Sequence, residues 1–209
     1  MRVIAIDGPA GSGKSTVART LAARLALDYL DSGAMYRSVT FATLRRGIDP
    51  ADADKVAAVA RDIEMEIAGE VTVDGVDATR EIRGPEVSKA VSTVAANPDV
   101  RVEMVRRQRE WVAEHGGGVI EGRDIGTVVF PQAELKVYLT ASEGERARRR
   151  QQQVDDLTYD DAAANIALRD RVDSTRATSP LAVADDAVVI DTTGRTVDDV
   201  VDEIVGRLA

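Results

Sequence analysis

Gly8-Pro9-Ala10-Gly11-Ser12-Gly13-Lys14-Ser15 decides the reading of this chain. Two glycines with four residues between them, followed by Lys-Ser, is the spacing of a phosphate-binding loop. The apolar run Val3-Ile4-Ala5-Ile6 before it reads as a buried strand. The residues after it, with Val17, Leu21 and Leu25 on one face, read as a helix. Strand, glycine loop and helix is the context the motif requires. Glycines let several backbone N–H groups converge on one group of phosphate oxygens, and the new helix adds the positive end of its dipole. The spacing assigns a nucleoside triphosphate to Gly8, Pro9, Ala10, Gly11, Ser12, Gly13, Lys14, Ser15 and Thr16. Lys14 is the cation for the terminal phosphates, and the Ser15 hydroxyl is a ligand for Mg²⁺. The chain has 23 arginines and only four lysines, and one of the four stands in this loop.

Working outward, Leu27 to Leu30 reads as a second short strand ending in Asp31-Ser32-Gly33, with a helix from about 34 to 46 and another over about 52–61. The pattern then changes. Ile63 to Ile67 alternates with period two, and Val71 to Val73 and Val76 flank an Asp74-Gly75 hairpin turn. These residues predict a small antiparallel sheet inserted into a parallel α/β core. Helices follow at about 85–95 and 98–114, the second capped by Asn97 and opened by Pro98. Gly116 to Gly118 resets the chain before a short strand at Val119-Ile120 that runs into Glu121-Gly122-Arg123-Asp124. A strand from Glu134 to Leu139, a polar helix from Ser142, a polar stretch to about 176, a strand at Val188 to Ile190 and a final helix capped by Thr196 complete the order. Five short strands alternating with helices predict a three-layer α/β sandwich with a five-stranded parallel sheet. Ligands of such sheets sit at the carboxyl ends of the strands, where the loop at Gly8 and the segment from Glu121 both fall.

A length of 209 residues suits one α/β domain with insertions. Hydrophobic residues make up 44% and aromatics 3%, so the core must be built from Val, Ala, Leu and Ile. The net charge of −9 argues against a general nucleic-acid binder and makes local arginine clusters point to a small anionic ligand. No cysteine is present, which excludes a disulfide framework and thiol chemistry. No apolar run is long enough to span a membrane, and the chain enters a strand at once, so a cytoplasmic protein without a signal peptide is expected.

Four segments together resemble the bacterial cytidylate kinases, members of the nucleoside monophosphate kinases. They are Ile6 to Ser15, Leu30-Asp-Ser-Gly-Ala-Met-Tyr-Arg37, Glu121-Gly-Arg-Asp-Ile-Gly-Thr-Val-Val-Phe-Pro131 and Arg169-Asp-Arg-Val-Asp-Ser-Thr-Arg176. The resemblance covers essentially the whole chain. It implies a core at about 1–34, 116–150 and 177–209, a monophosphate-binding insert at about 35–115 and a helical lid at about 151–176. It also implies transfer of the γ-phosphoryl of ATP to CMP, and to dCMP, with Mg²⁺, by a monomer that acts on small nucleotides and on neither nucleic acid nor membrane.

The acceptor phosphate has a second pKa of about 6 and is already anionic at neutral pH, so no general base is required. Alignment and cations around the moving charge must then do the catalysis. The resemblance makes Lys14, Arg123 and Arg176 the catalytic cations. It places Ser32, Tyr36, Arg37, Ser92, Arg101, Gly122, Arg123, Asp124, Arg169, Asp173 and Arg176 on the acceptor. Arg37, Arg123 and Arg176 grip its phosphate, since a planar guanidinium meets two phosphate oxygens at once. Asp124, Arg101 and Ser92 take the base-reading positions: a carboxylate accepting from the cytosine amino group and an arginine donating to the ring acceptors favour cytosine over uracil. Asp173 and Arg169 stand near the sugar. Ser92 also reads as an ordinary helix residue and Tyr36 as packing. The run Arg146 to Arg150 reads either as a solvated helix face or as the approach to a lid, with Arg148 and Arg150 as the lid cations. Some family members have aspartate where this chain has Glu121, and contact with Mg²⁺ water, ribose or arginines stays open for it. A P-loop kinase of another small acceptor is the alternative. It would benefit from an acidic base near a hydroxyl and would not need three arginines around a phosphate. A GTP-dependent switch is disfavoured because no Asn-Lys-x-Asp segment occurs.

Overall fold

The apolar run at the N-terminus forms β1 (Arg2–Asp7), the central strand of a five-stranded sheet. The computed structural model describes residues 1–153 and 157–208. Residues 154–156, within the expected lid, lie outside the described residues. Val3 to Asp7 are all buried, as expected of a strand with neighbours on both sides and both faces covered. β6 (Gly117–Gly122) pairs parallel with β1 along its whole length, and β7 (Leu135–Thr140) pairs parallel on the other side. With β2 (Tyr29–Asp31) and β8 (Val188–Asp191) the order is β2-β6-β1-β7-β8. The expected five-stranded parallel sheet with flanking helices is therefore present.

The chain divides into two compact units, residues 1–29 with 112–209, and residues 30–111. In the first, α1 (Lys14–Leu25) turns Val17, Ala18, Leu21 and Ala22 inward. They join Ile4, Ile6, Val119, Val137, Leu139, Ile190, Val201 and Ile204 in one aliphatic core. α8 (Val197–Gly206) adds Val200, Val201 and Ile204 to that core and starts with a capping box between Thr196 and Asp199. α6 (Glu143–Gln153) and α7 (Tyr159–Thr175) complete this unit.

The second unit holds α2 (Ser32–Arg45), α3 (Ala53–Asp62), the antiparallel sheet β3 (Met65–Ala68), β4 (Glu70–Val73) and β5 (Val76–Asp77), then α4 (Pro85–Ala96) and most of α5 (Pro98–His115). Asn97 caps α5 as expected, its Oδ1 accepting from the N–H of Asp99 at 3.0 Å. Ser38, Thr40 and Thr43 are buried in α2 because each hydroxyl donates to the carbonyl four residues back, at 2.7–2.9 Å.

Two local expectations need correction. Ser32-Gly33 does not end the second strand as a loop. Asp31 accepts from the N–H of Ala34 at 2.9 Å and starts α2 at Ser32, two residues early. Gly117 and Gly118 do not precede the next strand but lie inside β6, because pairing with Arg2 and Val3 outweighs the weak strand preference of glycine.

Candidate active site

The phosphate loop runs from the end of β1 into α1. A Cβ on Gly8, at φ 148°, would stand 2.1 Å from the Leu139 carbonyl oxygen of β7, so only glycine lets the loop leave the sheet here. The Lys14 ammonium is buried and donates to the Pro9 carbonyl at 2.7 Å, curling back over the loop it belongs to. Burial, and then the nearby Arg123, pull its pKa from 10.5 down to about 7, against the opposing pull of Glu121 and Asp7. Thr192, after β8, donates from Oγ1 to the Ser12 carbonyl at 3.0 Å and braces the loop from behind.

The segment after β6 reaches the same loop. Arg123 donates to the Gly8 carbonyl at 2.5 Å and, through Nε, to Asp173 of α7 at 2.8 Å. Arg176 sits just past α7, with its guanidinium 3.8 Å from Asp124 and 3.9 Å from Asp173, while its Nε donates to the Ser179 carbonyl. Arg169 is half-buried among Arg123, Arg150, Asp170 and Asp173, and loss of solvent around its guanidinium lowers its pKa to about 10. Within the first unit the structure thus gathers Lys14, Arg123, Asp124, Arg169, Asp173 and Arg176. Among the described residues the buried Ser12 Oγ and Arg169 Nε have no hydrogen-bond partner. Buried donors in such a cationic hollow suit an anionic, oxygen-rich ligand.

Ser15 donates from Oγ to Glu121 at 3.0 Å, and the Tyr29 hydroxyl bonds the same carboxylate. Hydroxyl and carboxylate oxygen side by side, at the foot of a phosphate loop, are the hard donors Mg²⁺ takes when waters and phosphates fill the rest of its shell. No group of three or more His, Asp or Glu suited to a metal occurs among the described residues. The residues therefore fit a Mg²⁺ that arrives with a nucleotide better than one held by the protein alone.

In the second unit, Arg37 of α2 donates to the Ile82 carbonyl at 2.9 Å and to Ser88 Oγ at 3.1 Å. Arg101 of α5 is fully buried, donates to the Ala95 carbonyl at 3.1 Å and lies 5.3 Å above the Tyr36 ring. Ser32 is buried in the first turn of α2 and Ser92 half-buried on α4.

Of the expected lid cations, Arg148 is exposed and bonds Glu145 of its own helix, whereas Arg150 is half-buried beside Arg169. The residues of that run on the loop are others. Arg146 is buried and donates to the Ala10 carbonyl at 3.2 Å. Arg149 donates to Thr192 at 2.9 Å, and a Cβ on Gly13 would come within 3.3 Å of its guanidinium. Helical spacing was the available signal: positions 146, 149 and 150 share one side of the helix, which 148 does not. Asp7 was also missed. It is buried, accepts from the N–H groups of Ile125 and Gly126 at 2.9 and 2.7 Å, and has its pKa raised by burial to about 6. It fixes a single widened helical turn, Ile125–Val129, directly after Asp124. A carboxylate closing an otherwise apolar strand was the sequence signal.

A glycine loop on the central strand of a parallel sheet, with a buried lysine and guanidinium groups over it, defines an α/β phosphate-binding-loop protein of the kinase type. A gluconokinase from Sinorhizobium meliloti has this fold, with a TM-score of 0.55 and 14% identity over 99% of this chain and 91% of that one. An uncharacterized protein from Eubacterium ventriosum matches with a TM-score of 0.57 at 12% identity, over 100% and 98%. The family model for cytidylate kinase matches residues 4–209. Cytidylate kinases from Limosilactobacillus reuteri and Mycobacterium avium are 49% and 48% identical, over 96% and 97% of this chain and 92% of each relative. The chain belongs to the cytidylate kinase family, and is a phosphotransferase.

Proposed function

We propose that the chain transfers the γ-phosphoryl group of ATP to the phosphate of CMP, and of dCMP, giving ADP and the diphosphate. The observation that carries this reading is the Arg123 guanidinium resting on the first glycine of the phosphate loop. It brings a phosphate-gripping group of the acceptor set against the donor loop, within hydrogen-bonding reach of Asp173. A kinase acting on a neutral hydroxyl would not need Arg123, Arg169 and Arg176 for an acceptor phosphate.

Lys14 and the loop amides hold the donor phosphates. Ser15 and Glu121 would hold Mg²⁺, which would supply positive charge against the donor phosphates. Arg123 and Arg176 follow the charge as it spreads over the transferring group, at no reorganisation cost because Asp173 and Asp124 already hold them. The acceptor oxygen attacks in line as an anion, without surrendering a proton. In the second unit, Arg37 and Ser32 are assigned to the acceptor phosphate, with Tyr36 beside them, and Arg101 and Ser92 to the base. In the first unit, Asp124 belongs to the base side, Asp173 and Arg169 to the sugar, and Gly122 to the acceptor set without a narrower role. Residues 151–176 act as a lid that excludes water and so limits wasteful ATP hydrolysis. The cytoplasm and pyrimidine nucleotide metabolism are the setting that this chemistry fits.

ADP release measured with ATP, Mg²⁺ and CMP, dCMP, UMP, AMP and GMP in turn tests the reading. CMP should be among the best acceptors; a better rate with a hydroxyl acceptor such as shikimate or gluconate would overturn it.

A further inference from the structure

Both polar groups of one residue in the phosphate loop are held from outside the loop. The Ala10 N–H donates to Asp170 Oδ1 of α7 at 3.2 Å, and the Ala10 carbonyl accepts from Arg146 of α6 at 3.2 Å. Arg146 and Asp170 are themselves ion-paired, so backbone, guanidinium and carboxylate close a ring. The Arg146 Nε is tied to the Ala141 carbonyl at 3.2 Å, which fixes the guanidinium to the start of its own helix. The helix backbone packs on the next residue of the loop as well: a Cβ on Gly11, at φ 76°, would stand 2.8 Å from the Arg146 carbonyl oxygen. Arg146 is 8% exposed, so loss of its partner leaves a cation in a poorly hydrated place.

We propose that Arg146 and Asp170 are positioning residues for the phosphate loop, setting its geometry toward the nucleotide phosphates by holding the Ala10 backbone between them. The inference rests on the ATP-binding half of the proposed function and not on the identity of the acceptor. Neither side chain needs to touch the nucleotide. An Ala10 backbone released on both sides can turn, and the amides that follow it in the loop then lose their common focus. Because the two side chains act through one ring, they form a unit.

The test uses the full chain carrying Asp170→Asn, Arg146→Gln and both together. Equilibrium binding of ATP with Mg²⁺ is measured with no acceptor present, beside KM for each substrate. Each single variant should weaken ATP binding about tenfold, and the double variant should be weaker than the worse single by less than about twofold, as expected of coupled groups. The KM for CMP should stay within about twofold of the parent, which a merely destabilised fold would not preserve. ATP affinity unchanged in both singles, effects that multiply in the double variant, or equal rises in both KM values would overturn the proposal. If Arg146→Gln does not fold, amide hydrogen exchange at Ala10 in Asp170→Asn decides, with faster exchange expected and unchanged exchange fatal. Should CMP prove not to be the acceptor, the ATP-binding arm still answers the question, so the two readings fail separately.

Discussion

Lys14 should take up a proton when ATP binds. In the free protein its ammonium is buried and sits beside Arg123, and the pKa lies at about 7 instead of 10.5. At pH 8 about nine in ten Lys14 side chains are then neutral, and at pH 6 about one in ten. The phosphates of ATP bring several negative charges to the ammonium and favour its charged form. Binding at pH 8 should draw about 0.9 proton onto Lys14, and binding at pH 6 about 0.1. From this group alone, Kd should be about tenfold higher at pH 8 than at pH 6. Calorimetry of Mg-ATP binding, without acceptor, in buffers of different ionisation enthalpy reads the proton count. Lys14→Arg supplies the reference, since a guanidinium stays charged throughout and leaves only the protons of ATP itself. A wild-type uptake at pH 8 equal to that of Lys14→Arg would refute the argument, because it would mean the ammonium was already charged in the free loop. The stability counterpart has a definite sign. With its pKa lowered on folding, Lys14 contributes stability above pH 10.5 that is lost as pH falls through about 7.

Asp7 titrates in the opposite sense. Its pKa of about 6 in place of 3.8 corresponds to about 3 kcal/mol of stability, present below pH 3.8 and lost as pH rises through 6. Urea unfolding of Asp7→Asn and wild type from pH 4 to 7 should show the variant gaining on the wild type as pH rises; a constant gap would contradict it. Gly8→Ala should lose about 3 kcal/mol or more, because its Cβ would overlap the Leu139 carbonyl. A urea midpoint within error of the parent would show that the loop can shift. Glu121→Gln keeps the hydrogen-bonding shape beside Ser15 but loses the charge, so the Mg²⁺ concentration giving half-maximal rate should rise several-fold, roughly as losing one carboxylate ligand implies. A change confined to the KM for CMP would place Glu121 with the acceptor instead. Asp124→Asn should lower the preference for CMP over UMP, and an unchanged ratio would remove that residue from the base site.

What the sequence made legible was whatever backbone geometry or hydrophobic periodicity imposes locally. The loop from Gly8 to Ser15 could be placed because its glycine spacing has few other uses, and β1 because a fully apolar run must be covered on both faces. Asn97 and Thr196 could be assigned as caps because capping is a short-range hydrogen bond. Contacts set by tertiary packing were not legible. Gly117 and Gly118 join a strand only because β1 supplies their partners. The widened turn at Ile125–Val129 is held by a carboxylate more than a hundred residues earlier in the chain. Within the run Arg146 to Arg150 every candidate is the same residue, so composition gives no contrast. The phase of the helix against the loop decides that Arg146 and Arg149 face it while Arg148 does not. The arginines after β6 and along α7 were found through resemblance, since nothing in their spacing alone separates a phosphate ligand from a surface charge.

The central claim is that one phosphate is handed directly to another, in a site of cations that needs no base. ³¹P NMR of the protein with ATP, Mg²⁺ and CMP tests it most directly. The account predicts loss of the ATP γ-signal matched one for one by a new β-signal of CDP, with no orthophosphate. Orthophosphate appearing in place of CDP, or an ATP spectrum that does not change when CMP is added, would contradict it.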